Sequence, residues 1–250
     1  MSKFHFTPIH LQDNFGSSAF LFDLRNSTAI IRKISWDKRL TRHIKFMMRL
    51  HKKVYKTLYN NCDPNKFAMN DTGDGYLCVF WDKLHALTCL DMAIRIQEFL
   101  GKNLPIHNRA LQLKDDFIKF DYGIAIHSGG STINRTKYTK DSNVLKKDFI
   151  FGIVVNTVAR LESFTKNYIE YKFLVTGNYK DNYLQQATND NLKRLFDDRS
   201  NYVYKSPGRF DIKDGKKNGH VIYTLNQDFV AKFKRYYSSR PRVFKKARRI

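Results

Sequence analysis

Apolar positions recur along the chain with two periods, and their alternation with polar stretches predicts the order of elements. SAFLF, Ser18 to Phe22, reads as a strand that ends around Asp23 and passes into the small polar residues of LRNST. In SWDKRLTRHIKFMMRLHKKVYKTLY, the residues Leu40, Ile44, Met47, His51, Val54 and Leu58 repeat at three and four positions. That spacing predicts an amphipathic helix with a basic outer face, capped by Ser35. KFAMNDTGDGYLCVFWD holds two strand-like runs around a tight turn at Thr72-Gly73-Asp74-Gly75, a hairpin signal. The helix of DKLHALTCLDMAIRIQEFLG is expected to stop near Gly101, before a polar connection from Lys102 to Asp116 that contains Pro105.

A strand follows in FIKFDYGIAIHSGG, closed by Gly129-Gly130, and Lys137 to Lys147 reads as a polar loop. DFIFGIVVNTVARLESFTK reads as a strand end running into a helix, YKFLVTG as a strand and NYKDNYLQQAT as a short helix. Two closing strands flank a Gly/Lys-rich turn in NYVYKSPGRFDIKDGKKNGHVIYTL. The order is β-α-β-β-α-β, then α-β, then a terminal hairpin. A βαββαβ run is the ferredoxin-like layout, an α+β fold with helices on one face of an antiparallel sheet. No repeat or linker interrupts it. Residues 1–16 read as an N-terminal arm, 17–228 as one domain and 229–250 as a basic tail.

Composition narrows the class. Apolar residues are 42% of the 250, enough for a sizeable core and against wholesale disorder. No apolar run approaches a membrane span, and MSKFHFTPIH lacks the apolar stretch of a secretion signal. Cys62, Cys78 and Cys89 form no CxxC pair, so neither zinc nor a disulfide framework is suggested, and the cytoplasm is the expected compartment. The net charge of +22 suits anionic partners, although a solvated Lys-rich surface gives the same number. The tail KFKRYYSSRPRVFKKARRI mixes cations with aromatics, which suits RNA or an anionic membrane surface as well as a solvated end.

In the ferredoxin-like layout the first strand and the central hairpin lie side by side. Asp23 and Asp74 then project from one edge and make an oxygen site for Mg²⁺ or Mn²⁺, completed by substrate phosphates. Two such metals suit in-line attack on phosphorus. The LRNST stretch offers successive N–H groups at a helix start, a phosphate cradle. Asn156 and Arg160 are four apart and share a helix face, where Asn can hold a ribose oxygen and Arg can neutralise a pentacoordinate phosphate. The plain alternatives are a turn aspartate beside glycine and an ordinary polar surface pair. His127, at a strand end, reads as structural.

Together FLFDLRNST, NDTGDGYLCVF, FDYGIAIHSGG and FGIVVNTVARLES resemble the class III nucleotide cyclase catalytic domain, in order and rough spacing, from about Ser18 to Leu225. The resemblance implies that Asp23, Leu24 and Asp74 hold two divalent metals, Mn²⁺ or Mg²⁺. It implies that Arg25, Asn26, Ser27 and Thr28 bind phosphate, with Lys217 (or its neighbour Lys216) at the triphosphate. It gives Asn156 and Arg160 the ribose and transition-state roles. The family's sites are composite, so one chain carrying both halves implies a homodimer. The implied reaction is cyclisation of a nucleoside triphosphate, the ribose 3′-oxygen attacking the α-phosphate as pyrophosphate leaves.

The base-reading positions depart from the purine pattern. Asn70 stands where purine cyclases carry Lys or Glu, and Phe149 where they carry Asp or a small polar residue. Lost hydrogen-bonding groups in a base pocket weaken selectivity heavily. Asn26-Ser27-Thr28 replaces the purine enzymes' Gly-Phe-Thr. DLRNST resembles the bacterial pyrimidine cyclases of Pycsar antiphage systems, which implies cyclic UMP or cyclic CMP as product and a separate effector that senses it. The alternatives are an adenylate or guanylate cyclase, a degenerate regulatory domain, and a nucleic-acid-binding or palm-like protein. No Gly-Gly-Asp-Glu-Phe string is present, against a diguanylate cyclase.

Overall fold

A computed structural model describes residues 3–11, 16–113, 118–140, 143–167, 172–198, 202–204 and 220–237. The expected core is present. After β1 (Lys3–Leu11), strand β2 (Ser17–Arg25) leads through helices α1 (Ser27–Ile34) and α2 (Lys38–Asn61) to the hairpin β3 (Phe67–Asp71) and β4 (Tyr76–Phe80). Helix α3 (His85–Ala110) then leads to β5 (Asp121–Gly129). The sheet order β3-β4-β2-β5 has antiparallel neighbours throughout, as a βαββαβ unit requires.

The sheet continues past β5 with β8 (Phe173–Thr176), which pairs parallel to β5, and then with β10 (Ile222–Leu225) and β9 (Tyr202–Tyr204). These last two are the closing strands, and most of the segment between them, with Lys216 and Lys217, lies outside the described residues. Helix α5 (Gly177–Gln186) matches the expected short helix. Helices α6 (Asp190–Asp197) and α7 (Gln227–Tyr237) do not appear in the pattern reading. α7 crosses the boundary drawn at residue 228, and its Phe229, Val230 and Phe233 are buried in the main core.

The sheet has two unlike faces. Phe20, Phe22 and Leu24 of β2, with Ile124 and Ile126 of β5, pack under the helices in one large core. The alternate residues Ala19 and Ala125 face a second, smaller core with Val154, Val158 and Leu161 of α4 (Ile153–Asn167). Strand alternation therefore puts Asp23 and Asn70 on the α4 side of the sheet, and Asp71 on the helical side.

Four local expectations are corrected. α2 is capped by Asp37, whose carboxylate accepts from Arg39 N at 2.6 Å; Ser35 instead ends α1. Its core face is His43, Phe46, Leu50, Val54 and Leu58, which leaves Ile44 exposed. α3 does not stop at Gly101 but runs through Pro105 to Ala110. Pro105 forfeits the bond to Gly101 O, yet Leu100, Leu104 and His107 are buried on either side of it, and that packing carries the helix through. The polar stretch after Gly130 is not a loop. It forms β6 (Ser131–Lys140) and β7 (Asn143–Phe151), and the N-terminal arm adds β1 (Lys3–Leu11) to them as a separate sheet, β1-β6-β7. Thr132, Ile133, Thr136, Tyr138, Thr139, Val144 and Ile150 supply the β-propensity that the many lysines mask.

Candidate active site

β2 ends beside the turn between β3 and β4, and that turn brings the two aspartates to one place. Thr72 N donates to Gly75 O at 3.1 Å, which closes the turn. A Cβ on Gly75 would lie 2.0 Å from Phe22 O and 3.0 Å from the Asp23 Cα, so only glycine lets the turn lie this close to Asp23. Asp23 and Asp74 both line a cavity of about 1530 Å³. The Ser27 hydroxyl donates to Asp74 Oδ2, which fixes that carboxylate against the start of α1.

Leu24, Arg25, Asn26, Ser27 and Thr28 line the same cavity. The Leu24 side chain is buried in the core, so only its backbone can serve a ligand. Asn26 takes a left-handed conformation (φ 65°) as it turns the chain into α1. Its amide donates to Lys119 O at 2.9 Å, tying the turn to the segment before β5. Arg25 is buried, and its guanidinium pairs with Asp121 at 3.6 Å. Burial lowers the Arg25 pKa, and the charges of Asp121 and Glu162 oppose that shift.

Three further groups belong to this cavity and were not found in the sequence: Asp121, Lys172, which bonds Asp121 at 2.8 Å, and Arg109 near the end of α3. Arg109 and Lys172 sit at element ends outside the quoted motifs, and Asp121, though within FDYGIAIHSGG, has no role implied there, so only the tertiary fold identifies them. Among the described residues no group of three or more His, Cys, Asp or Glu side chains forms a metal site. Asp23 and Asp74 give two hard oxygen donors, which fits Mg²⁺ or Mn²⁺ completed by phosphate and water and does not fit a closed protein cage.

Asn156 and Arg160 are elsewhere. The stripe Val154, Val158, Leu161 packs α4 on the sheet, and this turns Asn156 and Arg160 to the exposed side. Gly152, at φ 124°, makes the turn into α4; a Cβ there would lie 2.8 Å from Gly130 O. Neither Asn156 nor Arg160 lines the cavity of Asp23 and Asp74. Phe149, Phe151 and Ile153, just before them, are exposed apolar residues. Asn70 lies beside β7, next to the residue before Phe149: its amide, with the nitrogen oriented toward β7, donates to Asp148 O at 2.6 Å and to Met69 O at 3.1 Å. His127 is buried and bonds Thr176 Oγ1 at 2.8 Å, a structural placement.

No family model matches the chain. No curated protein matches it either. Solved structures do. The adenylyl cyclase CyaB from P. aeruginosa matches with a TM-score of 0.54 at 14% identity, over 90% of this chain and 96% of that one. A bacterial light-regulated adenylyl cyclase matches at 0.57 and 14%, over 93% of this chain and 58% of that one. The guanylyl cyclase Cya2 matches at 0.52 and 15%, over 88% and 92%. No helix among the described residues is long and apolar enough to cross a membrane. The α+β fold described above is thus the fold of these adenylyl and guanylyl cyclase structures.

Proposed function

We propose that the chain is a nucleotide cyclase working as a homodimer with two composite sites, and that it closes a pyrimidine nucleoside triphosphate, UTP or CTP, to its 3′,5′-cyclic monophosphate. The observation that carries this reading is the separation of the two half-sites. The carboxylates line one cavity while Asn156 and Arg160 stand on an exposed helix face outside it. A second copy, seated over the α4 side of the sheet, would bring its Asn156 and Arg160 to the first copy's aspartates. Exposed Phe149, Phe151 and Ile153 give that contact an apolar rim.

In this reading Asp23 and Asp74 hold two divalent ions, which would activate the 3′-oxygen and neutralise the leaving pyrophosphate. Ser27 keeps the Asp74 carboxylate aimed, and the N–H groups at the start of α1 receive phosphate oxygens. Asn156 orients the ribose so that its 3′-oxygen lies in line. Arg160 stabilises charge on the α-phosphate as the new O–P bond forms and the bond to pyrophosphate breaks. Lys217 is assigned to the triphosphate.

The base reading rests on Asn70 and Phe149. With its nitrogen spent on Asp148 O, the Asn70 amide keeps an oxygen acceptor for a base N–H. Phe149 fills space where a second ring would sit. The likeness of DLRNST to the Pycsar enzymes adds antiphage signalling through a separate effector to the proposal. Incubating the full chain with each of the four NTPs and Mn²⁺, and identifying products by mass spectrometry, tests it. Cyclic UMP or cyclic CMP is expected to dominate. Dominant cyclic AMP or cyclic GMP would replace the pyrimidine reading with a purine cyclase, and no cyclic product would overturn the cyclase reading itself.

A further inference from the structure

We infer that the outer face of α2 is a docking surface for an anionic lipid membrane. Ile44, Met48, Tyr55 and Tyr59 lie beside the core face of this helix and form a second stripe at spacings of four, seven and four; Tyr55 and Tyr59 set ring edges against Tyr76 and Phe67 of the core and leave the rest of each ring exposed. Their exposures are 50%, 65%, 45% and 52%, and Trp36, just before the helix, is 95% exposed. Single exposed apolar side chains are ordinary; five along one helix and its entry make a patch. The helix is about 36 Å long by its 24 residues, so the stripe runs over much of one side of the molecule.

The charge beside the stripe selects the partner. α2 contains eight Lys and Arg and no Asp or Glu. Exposed Lys45, Arg49, Lys52 and Lys56 lie directly alongside the apolar residues. The result is an apolar strip edged by cations on a protein of net charge +22, the pattern of a helix that lies in a membrane interface. Aromatic rings with polar edges, Trp36 at one end and Tyr55 and Tyr59 at the other, flank aliphatic Ile44 and Met48, as suits headgroup depth at the ends and acyl contact between. Stacking platforms for RNA use aromatics and have no need of the aliphatic pair. Shape argues the same way. The outer side of a helix on the surface is convex, and a lipid surface accepts such a ridge without a preformed groove. α2 and α4 lie on opposite sides of the sheet, so docking here leaves the Asn156 and Arg160 face clear.

Vesicle sedimentation tests this on the full chain, with the Trp36 part of the tryptophan fluorescence, obtained by subtracting the Trp36→Phe spectrum that Trp81 alone gives, as the second readout. Equimolar phosphatidylglycerol and phosphatidylcholine vesicles are expected to pull the chain down and shift Trp36 emission to the blue, while pure phosphatidylcholine vesicles do neither. The double substitution Ile44→Glu with Met48→Glu should weaken partition by about tenfold or more and abolish the shift, at an unchanged melting temperature. The proposal is overturned if the chain ignores anionic vesicles. It is equally overturned if the double variant sediments like the parent with Trp36 unshifted, which would put the contact on another surface such as the basic tail. A third contrary result is binding of single-stranded RNA through α2, lost in the double variant, without any vesicle binding. Cyclase activity enters none of these readouts.

Discussion

His43 and His107 face each other beneath the α2–α3 packing, both buried, with Nδ1 of one 3.2 Å from Nε2 of the other. His43 stacks on Phe120 at 4.7 Å and His107 on Phe46 at 4.1 Å. A single N–H fills the gap between the rings, so the accepting imidazole must be neutral, and burial disfavours a charge on the donor. Burial lowers His107 to about 4, helped by the neighbouring His43 and Arg49, and lowers His43 as well, with the Asp74 charge working the other way. In the unfolded chain both titrate near 6.5. Between those values the unfolded chain takes up protons that the folded one excludes. The stability from this pair is therefore full above about pH 6.5 and is lost as the pH falls toward 4, on the order of 2 kcal/mol. Urea midpoints measured from pH 7 to pH 4.5 should fall, and His107→Leu should flatten the fall while lowering the pH 7 value. Parallel curves for parent and variant would contradict this account.

Helix α7 shows how an element can matter more than its sequence suggests. Phe229 and Phe233 are fully buried and ring-packed against Tyr183 and Phe196. Phe229→Ala should cost about 3–5 kcal/mol, the usual range for emptying a buried aromatic site, read as a lower denaturant midpoint at unchanged slope. A loss below about 1 kcal/mol would mean α7 is not an integral part of the core. The elements that pattern reading found are those with a single unambiguous period: β2, the β3–β4 hairpin, β5, and α4 with its Val154, Val158, Leu161 stripe. α7 was missed because lysines and arginines crowd its exposed side. The β6–β7 hairpin escapes the pattern because lysines and arginines are interspersed along its sequence. α3 was cut short because Pro105 is a local stop signal that tertiary packing overrides. In α2 the spacing groups exposed Ile44 with the covered residues because two apolar stripes run along the helix and periodicity alone does not say which one is covered; Met47 and His51 lie half-buried at the border of the two.

The candidate site was legible to the extent that its residues sit in motifs. Asp23, Asp74 and the 24–28 turn are next to one another because β2 and the hairpin are sheet neighbours, and strand order follows from pattern. Asp121, Lys172 and Arg109 were not legible, because they reach the cavity only through the pairing of β5 with β8 and the full length of α3. The placement of Asn156 and Arg160 outside that cavity is a property of the whole chain, and the proposed second copy rests on it. The most direct test mixes two full-length variants, Asp23→Ala and Arg160→Ala, each expected to be inactive as a homodimer. In the mixed dimer one site keeps both aspartates and the partner's intact Arg160, while the other loses both halves. Random exchange should then restore about a quarter of parental activity, since half the dimers are mixed and each has one working site of two. A mixture as inactive as its components, or an Arg160→Ala chain that turns over like the parent, would contradict the composite site.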